Sequence, residues 1–221
     1  ENNVEQYIQY GLAVVSAEWS GTDKFWTLTA RKEATGETVT FTASFLVGCT
    51  GYYNYDAGYK PDFPGEADFG GQIVHPQHWP EDLDYTGKRV VVIGSGATAI
   101  PLVPTMAEET AHITMLQRSP TYLMPLPSRD AVAQGFQKVL PANVAYRLTR
   151  ARNVSIARLL FNRSRKNPKA MRRLFLAMVR RQLNGKVDMR HFSPSYNPWD
   201  QRLCVVKDGD LFESIKAGKA S

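Results

Sequence analysis

The spacing of apolar side chains predicts β structure in the first fifty residues. Gly11–Trp19 has the composition of a strand, and residues 25–30 alternate between apolar and polar side chains. Apolar side chains then recur at every second position from Val39 to Phe45, so they share one face of a third strand. We therefore predict a three-stranded meander, with Phe45–Val47 continuing as a buried strand.

From Lys88 the pattern changes to strand, glycine turn, helix and strand. The unbroken branched-aliphatic run Arg89–Ile93 predicts a strand buried on both faces. Ala97–Glu109 has the pattern of a helix, and residues 111–116 form the next strand. This order of elements is the start of a parallel βαβ unit.

Residues 131–190 have a helical pattern. Within them Asn167 followed by Pro168 predicts a helix start, and Gly185 predicts a stop. The spacing of four apolar side chains predicts a core-facing stripe on that helix. These are Met171, Leu174, Phe175 and Met178.

The turn after the first strand of the βαβ unit has the G-x-G-x-x-A pattern of a dinucleotide-binding loop. The first glycine allows the tight turn, the second lets the backbone approach a pyrophosphate, and the final alanine permits close helix packing. Free N–H groups at the helix start favour the negative charge of the phosphates. The loop consists of Gly94, Ser95, Gly96, Ala97, Thr98 and Ala99.

The second strand of the unit ends in residues that favour NADPH over NADH. An NAD site would place an acid here, whereas this chain has Arg118 and Ser119 with no acid nearby. A guanidinium can pair with a 2′-phosphate that an acid would repel. Pro101 and Pro104 lie inside the predicted helix, and we expect Pro101 to distort its first turns.

The net charge of +6 is concentrated in one part of the chain. Residues 147–190 contain fourteen Arg and Lys but only one acid, Asp188. Solvated basic helix faces and peripheral contact with an anionic membrane are both open interpretations. Nucleic acid is disfavoured, because no binding motif accompanies the charge.

The remaining composition indicates a reducing, cytoplasmic compartment. Two cysteines are too few for a disulfide scaffold, and no apolar run reaches the length of a membrane span. His75 and His78 have no third ligand nearby in the sequence, so we predict no metal site.

The segment 53–87 carries a motif, F-x-G-x-x-x-H-x-x-x-W-P, that resembles the fingerprint of the flavin-dependent Baeyer–Villiger monooxygenases. Its defined positions are Phe69, Gly71, His75, Trp79 and Pro80. The resemblance implies that His75 organises domain movement and has no direct role as an acid or base. It also implies that Thr50, Gly51 and Tyr52 lie beside the flavin, and that Arg202 is the active-site arginine. Gln201 stands where many relatives have a phosphate-binding lysine.

This resemblance implies an α/β flavoprotein with two dinucleotide-binding domains. Residues 1–52 would belong to the FAD domain, 53–87 would link the domains, and 88–130 would begin a Rossmann-like NADP domain. A helical insertion would then occupy 131–195, and 196–221 would return to the NADP domain. The chain begins at Glu1 and contains a single G-x-G-x-x-A loop, so we expect an internal fragment that does not retain FAD.

The implied activity is oxygen insertion from O2 into a ketone or sulfide, using NADPH and FAD through a C4a-peroxyflavin. Arg202 would stabilise the peroxide and hold the oxidised nicotinamide. One alternative is a related flavin-containing monooxygenase that oxidises nitrogen and sulfur centres, as in N,N-dimethylaniline oxidation. Another is an NADP-binding module without catalysis.

Overall fold

The computed structural model describes residues 3–221. The chain divides after Phe69 into two compact units, and each is described by itself. This division falls inside the segment 53–87 that the sequence predicts as a linker.

The first unit contains an antiparallel three-stranded sheet in the order β1-β2-β3. Trp19 and Trp26 face each other across the first strand pair, with ring centroids 5.6 Å apart. The meander predicted from the alternating pattern is therefore confirmed. Its strands are β1 (Leu12–Ser20), β2 (Phe25–Lys32) and β3 (Thr38–Ala43).

The prediction that Phe45–Val47 continues as a buried strand is wrong. The structure assigns no strand there, and Phe45 is 89% exposed. In the described residues the sheet ends with β3, so this apolar run has no neighbouring strand with which to form hydrogen bonds. From there to residue 88 the regular structure is limited to the single-turn 3-10 helices Glu66–Asp68 and Pro76–His78, as the proline and glycine content suggests.

The second unit is built on two parallel strand pairs, β4 with β5 and β6 with β7. The register of the first pair aligns Arg89 with His112 and Ile93 with Leu116. Both strands of a parallel pair therefore end at the same edge, which is where the loop after β4 lies. The strands are β4 (Arg89–Ile93), β5 (His112–Leu116), β6 (Tyr122–Leu126) and β7 (Leu203–Lys207).

The prediction that Arg89–Ile93 is buried on both faces is wrong for the part of the chain that the structure describes. Val90 and Val92 pack against the core, whereas Val91 and Ile93 are each 61% exposed. The sequence shows that β4 is apolar on both sides. Its burial depends on what covers each face, and residues 70–221 cover one of them.

Helix α1 (Ala99–Met106) begins two residues later than predicted. The i→i−4 hydrogen bonds start with Ile100 N–H to Gly96 O, 3.1 Å, and resume with Leu102 N–H to Thr98 O, 3.2 Å, because Pro101 between them has no N–H to donate to the Ala97 carbonyl. The expected distortion is not observed, because Pro101 is the third helical residue, within the first turn. Pro104 lies inside the helix, which continues to Met106.

Helices α2 (Ala131–Val139), α3 (Ala142–Lys166) and α4 (Pro168–Leu183) occupy the segment predicted to be helical. Asn167 ends α3, and its side chain accepts a hydrogen bond from Ala170 N–H at the start of α4. The predicted cap is therefore confirmed. None of the described helices is long and apolar enough to cross a membrane.

The apolar stripe predicted on helix α4 is confirmed at Met171 and Phe175, but its other two positions are not fully buried. Leu174 is 47% exposed, and Met178 is partly buried. The fully buried positions recur every four residues, which follows a single ridge of the helix. They are Met171, Phe175, Val179 and Leu183.

The main core of the second unit lies where α4, α1 and the final helix α5 (Asp210–Lys216) meet β5 and β7. A smaller cluster joins Tyr122 on β6 to Met171 and Phe175 on α4. The edge of Tyr122 packs against Phe175, with ring centroids 6.1 Å apart. This smaller cluster supports the segment that carries Arg202.

Candidate functional site

The loop between β4 and α1 is held by backbone contacts to the end of β5. Gly94 has φ +142°, a conformation that L side chains rarely adopt, and its N–H donates to Leu116 O at 2.8 Å. Ser95 is buried, and its hydroxyl donates to Ser119 O at 3.2 Å. The loop is therefore fixed before any nucleotide binds.

Arg202 lies beside this loop. A Cβ atom placed on Gly96 would be 3.5 Å from the Nη1 atom of the Arg202 guanidinium. The side chain of Arg202 is exposed, so the cation remains accessible to a ligand. A glycine that opens the backbone, a helix start and a cation thus converge, and together they favour a bound phosphate group.

Arg202 is held through its backbone by a chain of hydroxyl groups. The Tyr196 hydroxyl donates to Arg202 O at 3.0 Å, so the Thr121 hydroxyl, also 3.0 Å away, must donate to Tyr196. Tyr122 donates to Tyr196 O at 2.7 Å, and Arg172 donates to the Tyr122 hydroxyl at 2.9 Å. These bonds connect the start of β7 to the start of β6.

The residues expected to select the 2′-phosphate follow β5. Arg118 and Ser119 are exposed, and the Ser119 carbonyl accepts the bond from Ser95. Gln117 donates through Nε2 to His191 O at 2.7 Å. His191 therefore lies at the edge of the same site, a residue that sequence reasoning missed because 74 positions separate the partners.

The remaining loop residues, Ala97 and Thr98, form the turn that leads into α1, and Ala99 is buried at its first position. Burial of Ala99 agrees with its expected packing role. Gln201 is exposed immediately before Arg202. The residues present at this site thus fit a dinucleotide phosphate.

The fingerprint residues have local roles in the structure. His75 is the N-cap of the short 3-10 helix, and its Nδ1 atom accepts from Gln77 N–H at 3.3 Å. Trp79 packs edge-on against Tyr85, with centroids 6.4 Å apart. Among the other members, Phe69 belongs to the first unit, Gly71 is exposed and Pro80 is partly buried.

The residues expected beside the flavin lie in the first unit. Gly51 has φ +72°, and the described residues leave open space where its Cβ would lie. Tyr55 donates to Thr50 O at 2.5 Å, and a hydrogen bond with Tyr53 raises the pKa of Tyr52. Thr50, Gly51 and Tyr52 are exposed, so their backbone is open to a flavin, but three residues do not enclose one.

Two further kinds of chemistry, a reactive thiol and a metal ion, can be checked against the structure. Burial raises the pKa of the Cys204 thiol, which keeps it protonated near neutral pH. Among the described residues no group of three His, Cys, Asp or Glu side chains could hold a metal ion.

Comparison with known proteins relates this chain to FAD-containing monooxygenases. The chain is 55% identical over 225 residues to the FAD-containing monooxygenase MymA of Mycobacterium tuberculosis, covering 100% of the chain and 46% of MymA. It is 54% identical over 222 residues to the FAD-binding monooxygenase AlmA of an Acinetobacter species, covering 100% of the chain and 44% of AlmA. The chain therefore spans less than half the length of these relatives.

A solved structure has the same fold. OTEMO, crystallised in complex with FAD and NADP, superposes with a TM-score of 0.67 at 20% identity. The match covers 99% of this chain and 47% of OTEMO. Residues 1–219 also match the family described as Flavin-binding monooxygenase-like, and the chain belongs to that family.

Proposed function

We propose that the protein containing this chain is an NADPH- and FAD-dependent monooxygenase that inserts one oxygen atom of O2 into ketones, giving esters or lactones, and also oxidises sulfides. The observation that carries this proposal is the Arg202 guanidinium beside Gly96. In this position, the arginine that the family resemblance implies lies beside the dinucleotide loop.

Gly94–Ala99 would bind the pyrophosphate of NADPH through backbone N–H groups at the start of α1. Arg118 and Ser119 would bind the 2′-phosphate, and Gln201 would contribute a neutral hydrogen bond. His191 would border the same site, since Gln117 holds its carbonyl. The Arg202 guanidinium would also pair with a phosphate group of NADPH. Arg202 would therefore act in cofactor binding as well as in the oxygenation chemistry.

The flavin would supply the redox and oxygen chemistry when bound. Thr50, Gly51 and Tyr52 would present backbone to it, and Arg202 would provide a fixed positive charge where negative charge develops. The fingerprint residues His75 and Trp79 would support movement between domains.

The decisive experiment replaces Arg202 by Ala in the full-length protein. We expect ester formation from a ketone to fall at least tenfold, because a charged donor aimed at developing charge is typically worth about 10²–10³ in rate. Lys207→Ala removes an exposed cation at the far end of β7, the strand that Arg202 immediately precedes, and is the matched control. Near-normal ester formation by Arg202→Ala would refute the assignment.

A second experiment tests the cofactor preference. Arg118→Ala should weaken NADPH binding while leaving NADH binding unchanged, because only NADPH carries the 2′-phosphate. Arg89→Ala is the control, since Arg89 is exposed at the opposite end of the neighbouring strand. Equal losses for both cofactors would show that Arg118 does not read the 2′-phosphate.

The competing activities separate in a simple assay. A nitrogen- and sulfur-oxidising monooxygenase would turn over a tertiary amine and leave a cyclic ketone unchanged. A non-catalytic NADP-binding protein would bind NADPH without consuming oxygen in the presence of either substrate.

Peripheral membrane contact through residues 147–190 is a separate proposal. Exposed apolar side chains on α3, Val154, Ile156 and Leu159, lie among its arginines and could add apolar contact to an electrostatic attraction. Arg152 and Arg165 are instead paired with Asp130 and Asp200. Co-sedimentation with phosphatidylserine vesicles, but not with neutral vesicles, would support this contact, and its absence would refute it.

A further inference from the structure

The segment that leads into Arg202 contains an unusual backbone conformation. Trp199 has φ +71°, which is uncommon for a residue with a bulky side chain. Asp200 N–H donates to Asn197 O at 3.1 Å, which closes a tight turn around it. Such a conformation persists only where surrounding contacts hold it.

Helix α3 supplies those contacts. Phe161 and Arg165 are four residues apart and therefore share one helix face. The Phe161 ring packs edge-on against Trp199, with centroids 5.8 Å apart, and Arg165 Nη1 donates to Asp200 Oδ1 at 2.6 Å. One face of α3 thus holds two consecutive residues of the turn.

The ion pair adds little to the stability of the fold. The side chains of Arg165 and Asp200 are 53% and 39% exposed, and exposed pairs are screened by water. The hydrogen bond from Arg165 nevertheless lowers the pKa of Asp200, whose carboxylate would be ionised at neutral pH even without this bond.

An ionised Asp200 is a competitor for Arg202. The two residues are separated only by Gln201, and an arginine binds a carboxylate with the same planar geometry that it uses for a phosphate. A free Asp200 carboxylate could therefore draw the Arg202 guanidinium away from Gly96. In the structure Asp200 is bound to Arg165 instead.

We propose that Arg165 is a positioning residue for Arg202: by binding Asp200, it keeps that carboxylate from capturing the guanidinium that faces the dinucleotide loop. This inference rests on the proposed role of Arg202 in cofactor binding. It assigns a function in the reaction to a helix that lies outside the βαβ unit.

The test measures NADPH affinity of the full-length protein in the variants Arg165→Gln, Asp200→Asn and the double variant. We expect Arg165→Gln to raise the Kd for NADPH roughly tenfold, the loss associated with one charge-assisted hydrogen bond. Asp200→Asn alone should change the Kd less than twofold. The double variant should return close to wild-type affinity, because the competing carboxylate is gone.

Two results would overturn the proposal: an unchanged Kd in Arg165→Gln, or a double variant as weak as Arg165→Gln. The second result would mean that Arg165 acts only as a structural brace. Thermal unfolding of each variant checks that the fold is intact, and Arg165→Lys, which keeps the charge, should retain most of the affinity. Arg202→Ala separates this inference from the proposed function: if it leaves NADPH affinity unchanged, the proposed binding role of Arg202 itself fails.

Discussion

Replacement by alanine should affect different properties at two glycines of the dinucleotide loop. Gly94 has φ +142°, so alanine there is strained whatever space surrounds it. Gly96 has no such φ, and its added Cβ would meet Arg202 Nη1 at an ordinary contact distance of 3.5 Å. Gly94→Ala should therefore cost stability, and Gly96→Ala should cost binding.

The magnitudes follow from these geometries. A residue forced into a sparsely populated φ region costs about 1–3 kcal/mol, so we expect a loss of that size for Gly94→Ala. Gly96→Ala should leave the free energy of unfolding within about 1 kcal/mol, since alanine reduces the freedom of the unfolded chain without strain in the folded one. Its methyl group would instead occupy the space that a pyrophosphate approaches, and NADPH affinity should fall at least tenfold, by roughly 1.4 kcal/mol.

Urea unfolding and NADPH titration of both variants provide the assay. Each variant should be impaired mainly in one of the two measurements. NADPH binding like the wild type in Gly96→Ala, or full stability in Gly94→Ala, would contradict these roles of the two glycines. A variant of Gly96 that is as unstable as Gly94→Ala would show that steric crowding at the loop has been underestimated.

Two further positions test the helices. Ser164→Ala should stabilise the protein by about 0.5–1 kcal/mol in urea unfolding, because the buried Ser164 hydroxyl has no hydrogen-bond partner among the described residues and alanine favours helix; a destabilised variant would contradict this. Backbone N–H of Ala133, and then Arg152, lower the pKa of Asp130, so its contribution to stability is present above pH about 4 and is lost on further acidification. Asp130→Ala should lower the Tm at neutral pH, and this difference from the wild type should shrink as the pH falls below about 4, whereas Asp130→Asn should keep part of the cap.

Local features of this chain could be predicted because their causes are local. The turn at Gly94 and the cap at Asn167 depend on a few adjacent residues, and both are found where the sequence places them. Burial is different, because it depends on what packs against a segment. Phe45–Val47 and the outer face of β4 are apolar in sequence yet exposed in the described chain.

The candidate site shows the same limit. Its nucleotide loop is visible in the sequence as a spacing of glycines. The contacts that complete it, Arg202 beside Gly96 and Gln117 with His191, join distant parts of the chain. No periodicity records such pairs, so the sequence could suggest Arg202 only through family resemblance and gave no sign of His191.

A single residue, Asn167, connects α3 to α4, and this connection tolerates changes of residue type better than changes in the number of residues. The N–H of Asn167 donates to Arg163 O in α3, and its side chain accepts from Ala170 N–H in α4. Both helices are therefore hydrogen-bonded to this one connecting residue. An α-helix advances by roughly 100° per residue. Inserting one residue here would swing the face that carries Phe161 and Arg165 away from Trp199, whereas many substitutions elsewhere on α3 would leave that alignment intact.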